Sequence, residues 1–180
     1  PFLLLFLDPQ TMVITVNTVI VIPFACAIFQ SRDVIPVRQM APMTIAAMLG
    51  APIGVYFLST VNASILRISI IGLILILTTS IAFGVSLPPT TLRRFGLILG
   101  FVVGVMISAL GIGGPLIVLY LLARGWSSRV IRGSLALCFL AINSISVIVY
   151  MATGLYTVER LSLIAVVTAP TVISFLLGAK

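Results

Sequence analysis

The sequence lacks histidine entirely and has only three acidic residues among its 180 positions. Without histidine, a Ser-His pair for acyl transfer is excluded. The acidic residues Asp8, Asp33 and Glu159 all lie at the ends of apolar runs. They therefore offer neither a pair of catalytic carboxylates nor an acidic group at membrane depth for a proton relay. We expect a protein that is not an enzyme and that uses no cofactor.

Cysteine is nearly absent, and the basic residues are few and scattered. Cys26 and Cys138 lie inside apolar runs, and two isolated thiols neither form a metal-ligand cluster nor predict a disulfide. We interpret both as small core residues and expect no metal site. The ten Lys and Arg residues form no basic run with interleaved aromatic residues, so nucleic acid is not expected as a partner.

Hydrophobic residues dominate the chain at 61%, whereas charged residues reach only 7%. Charged residues normally make up about a quarter of a soluble domain, so a soluble fold is excluded. Charged residues divide the sequence into uncharged intervals, each close to or above the length of about 20 residues that a membrane helix needs. These predicted spans are residues 9–31, 39–66, 68–92, 95–123, 133–158 and 161–179. The sequence therefore predicts an all-α polytopic protein in a lipid bilayer.

The interval 95–123 differs from an ordinary spanning helix. As one helix it would reach more than about 40 Å, whereas the hydrocarbon core is about 30 Å thick. Its middle reads Gly111-Ile112-Gly113-Gly114-Pro115, where glycine loosens the backbone and proline favours the first turn of a new helix. We predict two half-helices, about residues 95–109 and 115–123, separated by a break. Broken backbone inside a membrane persists only where protein buries it or where it lines a cavity, so the break is the candidate site.

A face of small residues precedes the break. Gly96, Gly100, Gly104 and Ser108 follow one another at a spacing of four, which places them on one side of a helix. Such small faces let membrane helices approach closely. We therefore favour packing over ligand binding for the three glycines.

Basic residues predict how the interval 95–123 crosses the membrane, because cytoplasmic loops are enriched in Lys and Arg. A single crossing would leave five basic residues on each side, which is no bias. A hairpin that enters and returns on the same side leaves only Arg67 and Arg160 opposite the other eight. Those eight are Arg32, Arg38, Arg93, Arg94, Arg124, Arg129, Arg132 and Lys180. The basic residues thus favour a broken, glycine-rich re-entrant helical hairpin, with the eight in the cytoplasm.

A weak internal repeat accompanies this hairpin. Within a single membrane domain over residues 1–180, residues 1–92 are predicted to hold most of a first repeat and residues 93–180 a second. Three spans between successive hairpins give the repeats opposite orientations, and inverted repeats with broken helices are the plan of many secondary transporters. In this register, the counterpart of the glycine break is expected before Pro1. The chain is therefore interpreted as part of a longer protein, with the first repeat truncated at its start and the second at its end.

The chemistry of the break points to an anion. A half-helix that begins at Gly114-Pro115 presents unpaired N–H groups and the positive end of its dipole. Polar residues at membrane depth add candidate ligands, although a Ser hydroxyl often bonds to its own helix and an Asn amide often bridges helices. The candidate substrate-binding residues are Gly111, Gly113, Gly114, Pro115, Ser108, Asn143 and Asn17.

Residues 111–122, which read GIGGPLIVLYLL, resemble the glycine motif of the sulfite exporter TauE/SafE family. That family carries such a motif in each of two homologous halves, and the resemblance extends through Arg132 to the apolar span with Asn143, Tyr150 and Gly154. It implies a multi-pass transporter of small sulfur-containing or carboxylated anions in the bacterial inner membrane. The first-half motif is missing ahead of Pro1, which is where this sequence departs from the family pattern.

Two alternatives to a transporter remain open from the sequence: a passive anion channel and a membrane scaffold that transports nothing. The partners expected are a small anion and the lipid bilayer. Association of several copies of the chain is left open as well.

Overall fold

A computed structural model describes residues 8–82, 96–122 and 124–178 of the chain. Within these residues the secondary structure is helical and contains no strand, which confirms the all-α prediction for this part of the chain. The helices are α1 (Pro9–Val19), α2 (Val21–Ser31), α3 (Val37–Thr60), α4 (Ala63–Ala82), α5 (Gly96–Leu110), α6 (Gly114–Leu122), α7 (Ser128–Ala152) and α8 (Val158–Gly178), with a short 3₁₀ turn at Arg32–Val34.

Proline and aspartate shape the first two helices. The Asp8 carboxylate accepts a hydrogen bond from the Thr11 N–H at 3.4 Å, and Pro9 occupies the first helical position, where its missing N–H costs nothing. Pro23 lacks the N–H that would pair with the Val19 carbonyl, and the helix is interrupted between α1 and α2. The two helices still follow one another closely enough to form one apolar stretch.

Three helical stretches in the described part of the chain are long and apolar enough to cross a membrane: Pro9–Val34, Val37–Thr60 and Ser128–Ala152. The predicted boundary between the spans 39–66 and 68–92 is displaced: α3 ends at Thr60 and α4 begins at Ala63, so the turn lies inside the predicted span 39–66. Residues 83–92 lie outside the described residues. The interval 95–123 is split into α5 and α6, close to the predicted half-helices. At about 1.5 Å per residue, neither half-helix reaches the roughly 30 Å of the hydrocarbon core.

Helices α3 and α5 pack with their backbones in contact. A Cβ built on Gly104 would overlap the carbonyl of Ala47, and one built on Gly100 would overlap the carbonyl of Met43. The relation is mutual, because a Cβ on Gly50 would overlap the carbonyl of Phe101. The predicted packing role of Gly100 and Gly104 is therefore confirmed.

The opposite face of α3 is apolar and exposed. Ile45, Leu49, Ile53 and Tyr56 recur at helical spacing and are 56%, 66%, 50% and 68% exposed. Exposing a continuous apolar face of this kind to water is unfavourable, whereas contact with lipid tails is not. This face fits a bilayer as the surrounding medium.

Long-range contacts define two ends of the helix bundle. At one end, which we call the arginine-rich end (residues 31–39, 96 and 120–133), the Arg124 guanidinium donates to Gln39 Oε1 at 3.5 Å. In addition, a Cβ on Gly133 would lie 2.8 Å from Ile35 Cγ1. At the other end, which we call the Arg160 end (residues 8–11, 58–66 and 155–160), Gln10 Nε2 donates to the Leu58 carbonyl at 2.9 Å. Gly96 at the start of α5 and Tyr120 near the end of α6 both lie at the arginine-rich end.

Candidate functional site

The break between α5 and α6 has a well-defined backbone. Gly111 adopts a φ of 70°, the left-handed region that favours glycine, and its N–H donates to the Ile107 carbonyl at 2.9 Å. Gly111 therefore ends α5 with a left-handed cap. Among the described glycines, positive φ occurs only at Gly111, Gly125 and Gly154, so the other glycines of the break serve a different purpose.

Gly113 and Gly114 differ in the space around them. A Cβ on Gly113 would lie 2.5 Å from Ile107 Cγ1, so the close return of the chain against α5 requires glycine there. A Cβ on Gly114 would lie 3.4 Å from Phe139 Cζ, which is an ordinary van der Waals distance. The fold therefore requires glycine at position 113 more strictly than at position 114.

The start of α6 presents backbone donors. The first N–H groups of a helix have no carbonyl one turn earlier to pair with. Within the described residues, no backbone carbonyl pairs with the N–H of Gly113, Gly114 or Leu116, and the first bond across this region is Ile117 N–H to Gly113 O at 3.4 Å. Pro115 adds no donor but fixes the first turn. These amides carry the positive end of the α6 dipole.

The backbone carbonyls at the end of α5 accept hydrogen bonds from side chains of two other helices. Asn17 Nδ2 on α1 donates to the Ile107 carbonyl at 3.1 Å and to the Tyr150 hydroxyl at 3.0 Å. The Tyr150 hydroxyl on α7 donates in turn to the Ser108 carbonyl at 3.0 Å. The side chains of Asn17 and Tyr150 are both buried, so the bonds replace those that water would make at a solvated helix end.

Ser108 is engaged through its side chain as well. Its Oγ lies 2.7 Å from Ser146 Oγ, and the Ser146 hydroxyl donates to the Ile142 carbonyl at 2.9 Å. A hydroxyl has one proton, so with Ser146 donating to Ile142, the proton between the two serines is the one on Ser108. Both hydroxyl protons are therefore used inside the bundle.

Asn143, in contrast, has unused hydrogen-bonding capacity. Its Nδ2 donates to the Phe139 carbonyl at 2.7 Å, while its Oδ1 is buried without a partner in the described part of the chain. A primary amide has two donor hydrogens, so one N–H also remains. Phe139, one turn earlier on α7, contacts the position of Gly114 and stacks on Phe24 with ring centroids 4.9 Å apart. Among the predicted site residues that the structure describes, Asn143 is thus the polar side chain left available.

The structure brings some of the predicted site residues together and keeps others apart. Asn17, Ser108 and the break are joined through Ile107 and Tyr150, whereas Asn143 is linked to the break through Phe139. Sequence reasoning missed Tyr150, Ser146 and Phe139. The signal for Tyr150 was its phenol inside an apolar span, because a buried Tyr hydroxyl requires a partner.

An arginine anchors each end of the bundle. At the arginine-rich end, Arg124 donates to the Tyr120 hydroxyl at 2.6 Å and lies over the Tyr120 and Trp126 rings at 5.0 and 5.2 Å from their centroids. At the Arg160 end, the Arg160 guanidinium donates to the Leu155 carbonyl at 2.7 Å and to Thr11 Oγ1 at 3.1 Å. Together these contacts hold α6 and α8 at their respective ends of the bundle.

Tyr156, in the turn before α8, lies close to the hydrogen-bond network of Asn17, Tyr150 and Ser108. Its hydroxyl lies 2.7 Å from Thr18 Oγ1, and burial raises its pKa above the ordinary value of 10.0, although the hydrogen bond with Thr18 opposes the shift. The phenol therefore remains neutral at physiological pH and acts as a hydrogen-bonding group rather than a charge.

No curated protein and no solved structure matches the chain. The family model described as Sulfite exporter TauE/SafE matches residues 1–180. Proteins of that family are membrane transporters of sulfur-containing anions rather than enzymes, and the apolar helices described above agree with a membrane setting. The chain therefore belongs to the sulfite exporter TauE/SafE family.

Proposed function

We propose that the chain is a secondary transporter of small sulfur-containing or carboxylated anions, such as sulfite or a sulfonate, and that the anion binds at the break between α5 and α6. The observation that carries this proposal is that the N–H groups of Gly113, Gly114 and Leu116 pair with no backbone carbonyl of the described residues. Donors at a helix start, together with the positive end of the dipole, attract an anion without a charged side chain.

Each predicted site residue has a role in this proposal. Gly111 ends α5, Gly113 allows the close return of the chain, and Pro115 fixes the first turn of α6. Asn143 supplies a side-chain donor from its unused amide hydrogen. Asn17 and Ser108 support the backbone of the break rather than bind the anion, because their own donors are committed to Ile107, Tyr150 and Ser146.

The proposal includes a re-entrant hairpin made of α5 and α6. Gly96 at the start of α5 packs on Tyr120 near the end of α6, and Gly113 packs on Ile107. These two contacts support antiparallel half-helices, both too short to cross a bilayer. The arginine-rich end then faces the cytoplasm, in agreement with the preference of cytoplasmic loops for basic residues.

Further parts of the proposal concern organisation. We infer a single multi-pass domain in the bacterial inner membrane, built from inverted repeats at residues 1–92 and 93–180. The support is the distribution of basic residues: Arg32, Arg38, Arg124, Arg129 and Arg132 belong to the arginine-rich end, while Arg160 belongs to the other. Inverted repeats around a broken helix provide the two-sided access that a secondary transporter needs.

Uptake of sulfite by liposomes that contain the complete protein tests the proposal. A secondary transporter gives saturable uptake that depends on an ion gradient. Uptake that does not saturate and needs no gradient would indicate a passive channel instead. No uptake and no sulfite binding, with the protein correctly inserted, would indicate a scaffold and contradict the proposal.

A further inference from the structure

Two side chains from outside α5 hold the end of that helix. The Ser108 carbonyl accepts the Tyr150 hydroxyl at 3.0 Å, and the Ile107 carbonyl accepts Asn17 Nδ2 at 3.1 Å in addition to the Gly111 N–H at 2.9 Å. Within the described residues, no backbone N–H pairs with the Ser108 carbonyl. The phenol of Tyr150 therefore takes the place of the missing helical donor.

We propose that Tyr150, acting with Asn17, is a positioning residue that fixes the backbone of the break at residues 111–114. Tyr150 and Ser108 are both 0% exposed, and Asn17 is 2% exposed, so water cannot readily replace a lost bond. Without the phenol, the end of α5 has to rearrange to satisfy its carbonyl. Such a rearrangement moves the adjoining glycines, and with them the amides at the start of α6.

Tyr150 also links the break to the two helices that flank it. Asn17 Nδ2 joins its hydroxyl to α1 at 3.0 Å, and Tyr150 itself belongs to α7. The break is thus fixed relative to both neighbours through one hydroxyl group. This inference rests on the proposed function, since the geometry of the break affects transport only if the anion binds there.

Tyr156 provides a matched control. Its ring packs edge-to-face on that of Tyr150 with centroids 6.3 Å apart, and its hydroxyl bonds to Thr18 Oγ1 at 2.7 Å. Like Tyr150→Phe, Tyr156→Phe therefore removes a phenolic oxygen from this part of the bundle and breaks a hydrogen bond to α1. It leaves the carbonyls of Ile107 and Ser108 with their partners.

Two measurements on the complete protein in lipid nanodiscs and liposomes test the role of Tyr150. In hydrogen–deuterium exchange, we expect Tyr150→Phe to speed exchange of the amides in residues 111–116 by about tenfold or more, and Tyr156→Phe to change it by less than about twofold. In sulfite uptake, we expect Tyr150→Phe to raise the half-saturating concentration by about fivefold or more, with a maximum rate within about twofold of the parent. A general loss of stability would speed exchange throughout the bundle instead.

Equal exchange at the break in the two variants would overturn the positioning role, whether or not sulfite is the substrate. Faster exchange with an unchanged half-saturating concentration would support the positioning role and contradict anion binding at the break. If Tyr150→Phe fails to insert, Asn17→Ser is measured under the same criteria, because it removes the donor to Ile107. The proposed function fails separately: if Gly114→Val binds sulfite as the parent does, the break is not the site, while the exchange result still decides whether Tyr150 fixes the break.

Discussion

Tyr120, near the end of α6, packs against Gly96, the first residue of α5: a Cβ built on Gly96 would lie 2.8 Å from the Tyr120 hydroxyl. In the proposed hairpin, half-helix α6 runs back along α5 and ends near the start of α5. Since the break lies at the far end of this pair, the segments before α5 and after α6 are expected on the same side of the membrane.

Cysteine labelling in intact cells tests that arrangement. In a background with Cys26→Ala and Cys138→Ser, we expect Arg38→Cys and Arg132→Cys to resist a membrane-impermeant thiol reagent applied from outside. Glu159→Cys, at the Arg160 end, should react and serves as the positive control. Labelling of Arg132→Cys without labelling of Arg38→Cys would indicate a single crossing and contradict the hairpin.

The backbone contact between α3 and α5 predicts a large effect of one methyl group. Gly104→Ala should lower the free energy of unfolding by about 3 kcal/mol or more, because its Cβ meets the Ala47 carbonyl and the backbone has to move. Gly72→Ala is the control, since a Cβ there meets nothing within 4 Å. The control should be neutral or stabilising by up to about 1 kcal/mol. Similar thermal stability for the two variants would contradict the close packing.

Within the break, glycine positions 113 and 114 should respond differently to alanine. Gly113→Ala places its Cβ 2.5 Å from Ile107 Cγ1 and should cost about 1–3 kcal/mol. Gly114→Ala has an ordinary contact with Phe139 and should change stability by less than about 0.5 kcal/mol. Thermal unfolding in detergent measures both, and the reverse order would contradict the described backbone of the break.

The contribution of Arg160 to stability should depend on its planar guanidinium rather than on its charge alone. Arg160→Lys keeps the charge but cannot reach both the Leu155 carbonyl and Thr11 Oγ1 with the same geometry. We expect a loss of about 1–2 kcal/mol in thermal unfolding. Arg129→Lys, at an exposed position, is the control and should be silent. An equally silent Arg160→Lys would mean that the link between α1 and α8 does not contribute to stability.

The break was predictable from sequence because its cause is local. Three glycines and a proline within residues 111–115 disfavour a continuous helix whatever surrounds them. The small face of α5 was predictable for the same reason, since a spacing of four follows from helix geometry alone. Which helix covers that face was not predictable: Gly100 and Gly104 meet α3, whereas Gly96 meets Tyr120 of α6.

The polar network around the break could not be predicted from sequence. A buried amide such as Asn17 requires a partner, but its partners Ile107 and Tyr150 lie far away along the chain. Only the packing of α1, α5 and α7 brings them together. The sequence therefore identified Asn17 and Ser108 as polar candidates and allowed a structural role for both, but it could not indicate their partners.

The central claim, that the anion binds at the start of α6, is tested most directly by ligand-induced stabilisation of the complete protein. Sulfite at about a hundred times its Kd should stabilise the parent by about 2.7 kcal/mol, because it binds only the folded state. Gly72→Val, on an open face of α4, is the matched control and should keep the ligand-induced rise in Tm.

A Cβ at position 114 already lies 3.4 Å from Phe139 Cζ, so the two further methyl groups of Gly114→Val narrow the space beside the α6 amides in our proposal. We expect this variant to insert at the parental level and to unfold at a Tm that sulfite no longer raises. A sulfite-induced rise in the Tm of Gly114→Val equal to that of the parent would contradict an anion site at the break.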